Sequence, residues 1–142
     1  MNYLNSIGSS QKYNDIMLLV FRLFVGFGIL THGFPKLQKL LAAEETKFMS
    51  FLGLSPDFSL GLAVFAEFVC AIFLILGLFT RIAVIPLIIT LMVAAFYSHS
   101  GDAFTDREEA LLYLLSFLLL LVFGPGRYSV DGMISRRRES SW

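Results

Sequence analysis

Four apolar blocks, at 14–30, 56–79, 82–97 and 106–123, are joined by short polar stretches and leave no residues for a second domain. A hydrocarbon core is ~30 Å thick and a helix rises about 1.5 Å per residue. The apolar parts of the last two reach only about 24 Å, so flanking side chains must snorkel or the bilayer must thin around them. Two buried soluble hairpins would lack the polar surface to cover them: charged residues are 15% of the chain, hydrophobic residues 56%, and the mean hydropathy is +0.73. The expected fold is therefore all-α, a four-transmembrane-helix bundle in a single membrane domain.

Local signals set the helix limits. Residues 1–13 are polar without a period and read as a loose tail. Lys12 ahead of an apolar run resembles a signal peptide, but the run holds Arg22 and no small-x-small cleavage site comes after it, so the segment is expected to be retained. Pro35 lacks a backbone donor and disfavours helix at Phe34, which predicts that helix 1, beginning near Asn14, ends or kinks after Leu30. From 36 to 52 the pattern becomes one-sided, with Leu37, Leu40, Leu41, Phe48, Phe51 and Leu52 on one face. This predicts an amphipathic helix at the membrane surface between helices 1 and 2, with Glu44 oddly on its apolar side. Ser55-Pro56-Asp57 reads as N-cap, first-turn proline and first-turn acid for helix 2. Thr105 and Glu108 have capping-box spacing for helix 4, and Gly124-Pro125-Gly126 stops it. The membrane domain is expected over 14–131, with a basic tail over 132–142.

With four spans, Lys12, Arg81, Arg127, Arg136, Arg137 and Arg138 share one side, which predicts that both termini are cytoplasmic. A formal net charge of zero excludes general attraction to nucleic acid. Cys70, the only cysteine, excludes an intramolecular disulfide and CxxC redox chemistry, and reads as a small packing residue. Phosphate loops, nucleophile elbows and haem motifs are absent.

Two charges lie deep in the spans. Counted from Lys12 and Arg81, Arg22 and Glu67 fall about 15 and about 20 Å from the same side, so they are expected to pair. Gly26, Ile29, Gly33 and Lys36 share a stripe with Arg22, while Ala63, Cys70, Ala71 and Leu74 share one with Glu67. Such a pair either locks helix 1 to helix 2 or presents a carboxylate for proton exchange or a polar headgroup. A second cluster is expected at the outer mouth: His32, Lys36, His99, Asp102, Glu108 and Glu109. Neither histidine has HxxxH or HExxH spacing, so no metal site is assigned. Donors beside apolar walls suit an anion or quinone headgroup held by His32, Lys36 and His99, and solvated interfacial side chains are the plainer account.

The order Arg22 with Gly26, His32-Gly33-Phe34-Pro35-Lys36-Leu37, Glu67 ahead of Leu76-Gly77-Leu78-Phe79-Thr80-Arg81, and Gly124-Pro125-Gly126-Arg127-Tyr128-Ser129-Val130-Asp131 resembles the DoxX family of small bacterial membrane proteins. The resemblance covers about residues 16–131. It implies a four-helix protein of the bacterial inner membrane, related to the small membrane subunit of archaeal thiosulfate:quinone oxidoreductase and associated with redox systems. It also implies that Arg22, His32, Gly33, Lys36, Glu67, Arg81, Gly124, Gly126 and Asp131 are characteristic positions. Three roles are therefore expected: a subunit of a quinone-linked oxidoreductase system, a non-enzymatic scaffold, or a small-solute or proton pathway through Glu67. The partners these imply are the bilayer, a membrane or soluble redox protein, and a second copy of the chain.

Overall fold

A computed structural model describes residues 7–42, 50, 53–98 and 104–139, and among them every regular element is helical. Helix α1 spans Ile7–Ala42. Helix α2 spans Pro56–Leu76 and contains a π-type stretch at Phe65–Cys70. Helix α3, Thr80–Val93, continues through a second π-type stretch at Ala94–Ser98. Helix α4 is Phe104–Phe123, and a short α5, Val130–Glu139, comes after the Gly124–Gly126 turn. Each of the first four packs on the next, and α1 also touches α4.

Among the described residues, three segments are long and apolar enough to cross a membrane: Gln11–Ala42, Pro56–Leu76 and Thr80–Tyr97. Helix α4, expected as a fourth, opens with Asp106-Arg107-Glu108-Glu109, which shortens its apolar part. The core joins Val25 and Ile29 of α1 to Cys70, Ala71 and Leu74 of α2, Val84 and Leu87 of α3, and Phe117 and Leu120 of α4. Around this small-residue interior the outer surface is apolar: Phe24 is 76% exposed, Val122 71% and Ile82 66%. A soluble monomer does not present so much hydrocarbon to water.

The helix-1 limits differ from expectation at both ends. Helix α1 begins at Ile7 rather than near Asn14, and it runs through Pro35 to Ala42. Proline removes only the bond to the Thr31 carbonyl, and both residues lie on the exposed side, where that loss disturbs no packing. The helix is carried past Pro35 by its other face. A Cβ at Gly33 would overlap the backbone of Glu67 and come within 2.9 Å of the Phe68 nitrogen, so only glycine permits this approach. The first part of the expected surface helix is thus the end of α1, and the rest, including Glu44, lies outside the described residues.

The other boundaries reflect local chemistry. Ser55 Oγ accepts the Phe58 N–H at 3.3 Å and Pro56 occupies the first turn. Gly77, at φ 69°, ends α2 three residues short of the expected Phe79–Thr80 limit, and α3 starts at Thr80 rather than Ile82. Asp131 explains that early start. Its carboxylate accepts the N–H groups of Phe79 and Thr80 at 2.9 and 3.0 Å, capping α3 from a residue distant in sequence. Helix α4 begins at Phe104, two residues before the expected Asp106.

Gly33→Ala is expected to destabilise the protein by about 1–3 kcal/mol through overpacking. Gly61→Ala, on α2 with nothing within 4 Å of the added carbon, should be neutral or slightly stabilising. Thermal unfolding of both variants in one detergent checks the contrast.

Candidate functional site

The four main helices leave a cavity of 170 Å³ between the C-terminal half of α1, the middle of α2, the end of α3 and the start of α4. Ile29, Leu91, Ala94 and Ala110 supply its apolar wall, and His32, Lys36, Glu67, Glu109 and Tyr113 its polar edge. Lys36 donates from Nζ to Glu67 Oε1 at 2.6 Å and Oε2 at 2.5 Å. The Glu67 side chain is 5% exposed and the Lys36 side chain 30% exposed, so a buried carboxylate is neutralised by an ammonium that opens toward the cavity. His32 Nε2 lies 2.9 Å from Glu109 Oε1, and the His32 ring meets the Tyr113 ring edge-to-face at 5.9 Å between centroids. Tyr113 stacks in turn on the buried Phe117.

Both π-type stretches face this cavity. Glu67 lies within the first and Ala94 opens the second. A π turn inserts an extra residue into the helical ladder and rotates the next turn about the axis, which re-aims a side chain without ending the helix. No periodicity in the sequence signals either insertion.

The structure does not pair Arg22 with Glu67. Arg22, 1% exposed, donates from Nη1 to the Pro125 carbonyl and from Nη2 to the Tyr128 carbonyl at 2.8 Å, and it feels the nearby Asp131 carboxylate. Its guanidinium lies against Gly77, where an added Cβ would come within 2.7 Å of Nη1. Depth counted from Lys12 and Arg81 assumed that the two mark the same level. Instead, Arg22 is level with Gly77, close to Arg81 in sequence, so α1 overhangs that end and Glu67 lies about 15 Å further along α2.

Lys36, expected at an exposed mouth, is instead the counter-ion of Glu67, because α1 remains helical past Pro35. His32 and Glu109 do come together. His99 and Asp102 lie outside the described residues, and Glu108 is exposed. Tyr113 is a site residue that sequence reading missed; its place at helical spacing from Glu109 and Phe117 was the available signal. Of the other motif positions, Gly124 packs against the Arg81 guanidinium, Gly126 turns at φ 75° and Asp131 caps α3. Cys70 is buried in the core.

Such a bundle, apolar outside and charged at chosen points within, defines an all-helical integral membrane protein. The DoxX family model matches residues 17–100, and the chain belongs to that family. It is 26% identical over 133 residues to the inner membrane protein YqjF of Escherichia coli, covering 89% of this chain and 98% of that protein. It is 32% identical over 126 residues to the inner membrane protein YphA of the same organism, covering 82% and 89%. An uncharacterized membrane protein of Mycobacterium tuberculosis is 29% identical over 138 residues, covering 84% and 82%. No solved structure matches the chain.

Lys36→Met strands the Glu67 carboxylate and should cost about 3 kcal/mol, the low end for breaking a buried pair because Lys36 is partly open. The double variant Lys36→Met/Glu67→Gln should recover most of the loss. Unfolding midpoints of the two single variants and the double variant give the coupling directly.

Proposed function

We propose that this protein is the membrane subunit of a quinone-linked redox system and that the cavity beside Lys36 and Glu67 takes a quinone headgroup. The observation that carries the reading is the composition of the cavity: an ammonium–carboxylate pair, an imidazole, a second carboxylate and a phenol facing an apolar wall. A volume of 170 Å³ is close to the ~150 Å³ that accommodates benzene, so one six-membered ring fits. A quinone ring has carbonyl acceptors for Lys36 and His32, and a quinol has a hydroxyl donor for Glu67 or Glu109. The chain's part is to bind, orient and exchange protons with the head. Electrons come from and go to a partner redox protein, and Cys70, buried away from the rim, takes no part.

The same reading makes α4 a fourth span and residues 14–131 the membrane domain, with both termini in the cytoplasm. Support comes from α4 burying Phe117 and Leu120 against α3 while presenting Leu112, Leu115, Val122 and Phe123 outward. Arg81 and Arg127 lie at one end of the bundle, the pattern that places an end inside.

Protein extracted with its native lipids should carry quinone, measured by mass spectrometry of an organic extract against an unrelated membrane protein. Ala110→Phe, which fills the cavity while leaving every charge in place, should lower that quinone by about tenfold, the equivalent of ~1.4 kcal/mol. Equal quinone in the control protein, or an unchanged amount in Ala110→Phe, removes the basis for the proposal.

A further inference from the structure

The opposite end of the bundle holds a second cavity, 250 Å³ in volume, lined by Lys12, Asp15, Arg127, Tyr128 and Arg136. Three cations face one carboxylate there. Arg127 Nε and Asp15 Oδ2 are 3.9 Å apart, a loose contact that leaves the Arg127 side chain 60% exposed. Arg136 donates from Nε to the Gly132 carbonyl at 3.2 Å and from Nη2 to the Arg127 carbonyl at 3.1 Å. Main-chain carbonyls hold a guanidinium in place without cancelling its charge, so the cavity stays positive.

The backbone around it is fixed before any ligand arrives. Arg127 sits in the turn whose Pro125 and Tyr128 carbonyls are held by the buried Arg22. Ser129 Oγ donates to the Gly126 carbonyl at 2.6 Å and accepts the Gly132 N–H at 3.0 Å, tying that turn to α5. Gly126 rests on Leu18 of α1, which sets the turn beside Lys12 and Asp15. Binding then has to order only side chains, chiefly the exposed Lys12 and Arg127, and not the turn that carries them.

Depth supplies the rest. Among the described side chains of α1, the exposed aliphatic surface that lipid tails would cover begins at Ile16 and Met17, directly after Asp15. Tyr128, in the cavity wall, and Tyr13, next to Lys12 on α1, are both exposed, as amphipathic aromatic rings are where they meet the headgroups. A cationic cavity at that height lies where phospholipid phosphates are.

We propose that this cavity binds a phosphate group, supplied by an anionic phospholipid of the adjoining leaflet, through Lys12, Arg127 and Arg136. Volume agrees, since 250 Å³ equals several waters at ~30 Å³ each and accepts a phosphate with its ester oxygens. Asp15 opposes the anion and sets the affinity from the other direction.

The test uses the full chain in a neutral detergent, titrated with phosphatidylglycerol, phosphatidylcholine or inorganic phosphate and read by native mass spectrometry. Phosphatidylglycerol should be retained about tenfold over phosphatidylcholine. Lys12→Gln and Arg136→Gln should each weaken that retention about fivefold, near the expected worth of one basic residue at an anionic surface. Asp15→Asn should strengthen it, a gain that misfolding cannot mimic. Lys39→Gln, at the far end of α1, should leave it unchanged. Displacement of the lipid by inorganic phosphate with the same ranking of variants supports the anion site and identifies the free ion as a second source. Equal retention of the two lipids, or phosphatidylglycerol retention unmoved by both Lys12→Gln and Asp15→Asn, overturns the proposal.

Discussion

Arg22 is the charge around which this bundle closes. A guanidinium with 1% of its surface exposed needs partners inside the protein, because lipid offers none. It finds them in the carbonyls of a turn, where backbone oxygens not committed to a helix are available. That choice fixes much else. Gly77 must lack a side chain for the guanidinium to pass, and its carbonyl accepts the Asp131 N–H at 3.0 Å. Asp131 then caps α3 and also brings a negative charge near Arg22. One arginine thus joins α1, the corner between α2 and α3, and the turn after α4.

Because Arg22 is spent at that end, Glu67 needs another cation, and the length of α1 supplies it. Fourteen residues beyond Arg22, Lys36 reaches Glu67 only because the helix continues past Pro35. Proline's lost hydrogen bond lies on the exposed face, whereas Gly33 seats the opposite face on the backbone of α2. Tertiary packing on one side outweighs a local defect on the other. The result is two charged centres about 20 Å apart along α1, each with its own partners.

How much of this could be read from the residues differs from feature to feature. Apolar blocks, the Ser55 cap and the glycine stops are local signals, and each appears as a helix or boundary, although α1 outruns its block by seven residues at the start and twelve at the end. The family motifs likewise mark positions that the structure uses: Gly33, Gly77, Gly124 and Asp131 all sit at close approaches or caps. Charge pairing was not legible, since it depends on how far one helix overhangs another and a depth count assumes that overhang to be zero. The two π stretches were not legible either. They arise where packing rotates the chain, and Phe65–Cys70 carries no residue that announces an insertion.

The Lys36–Glu67 pair also limits what the cavity can bind on the proposed reading. Both groups are already satisfied by one another, so a ligand gains only if it replaces what it disrupts. A pure acceptor would take the ammonium and leave Glu67 buried and uncompensated, while a pure donor would do the reverse to Lys36. The ligand best matched to such a pair carries an acceptor and a donor together. A quinol hydroxyl does both, accepting from Lys36 and donating to Glu67, whereas a quinone carbonyl only accepts, so on the proposed reading the pair favours the reduced form. His32 and Glu109, more exposed and paired at 2.9 Å, stand at the rim, and on that reading they are the groups that would relay a proton outward.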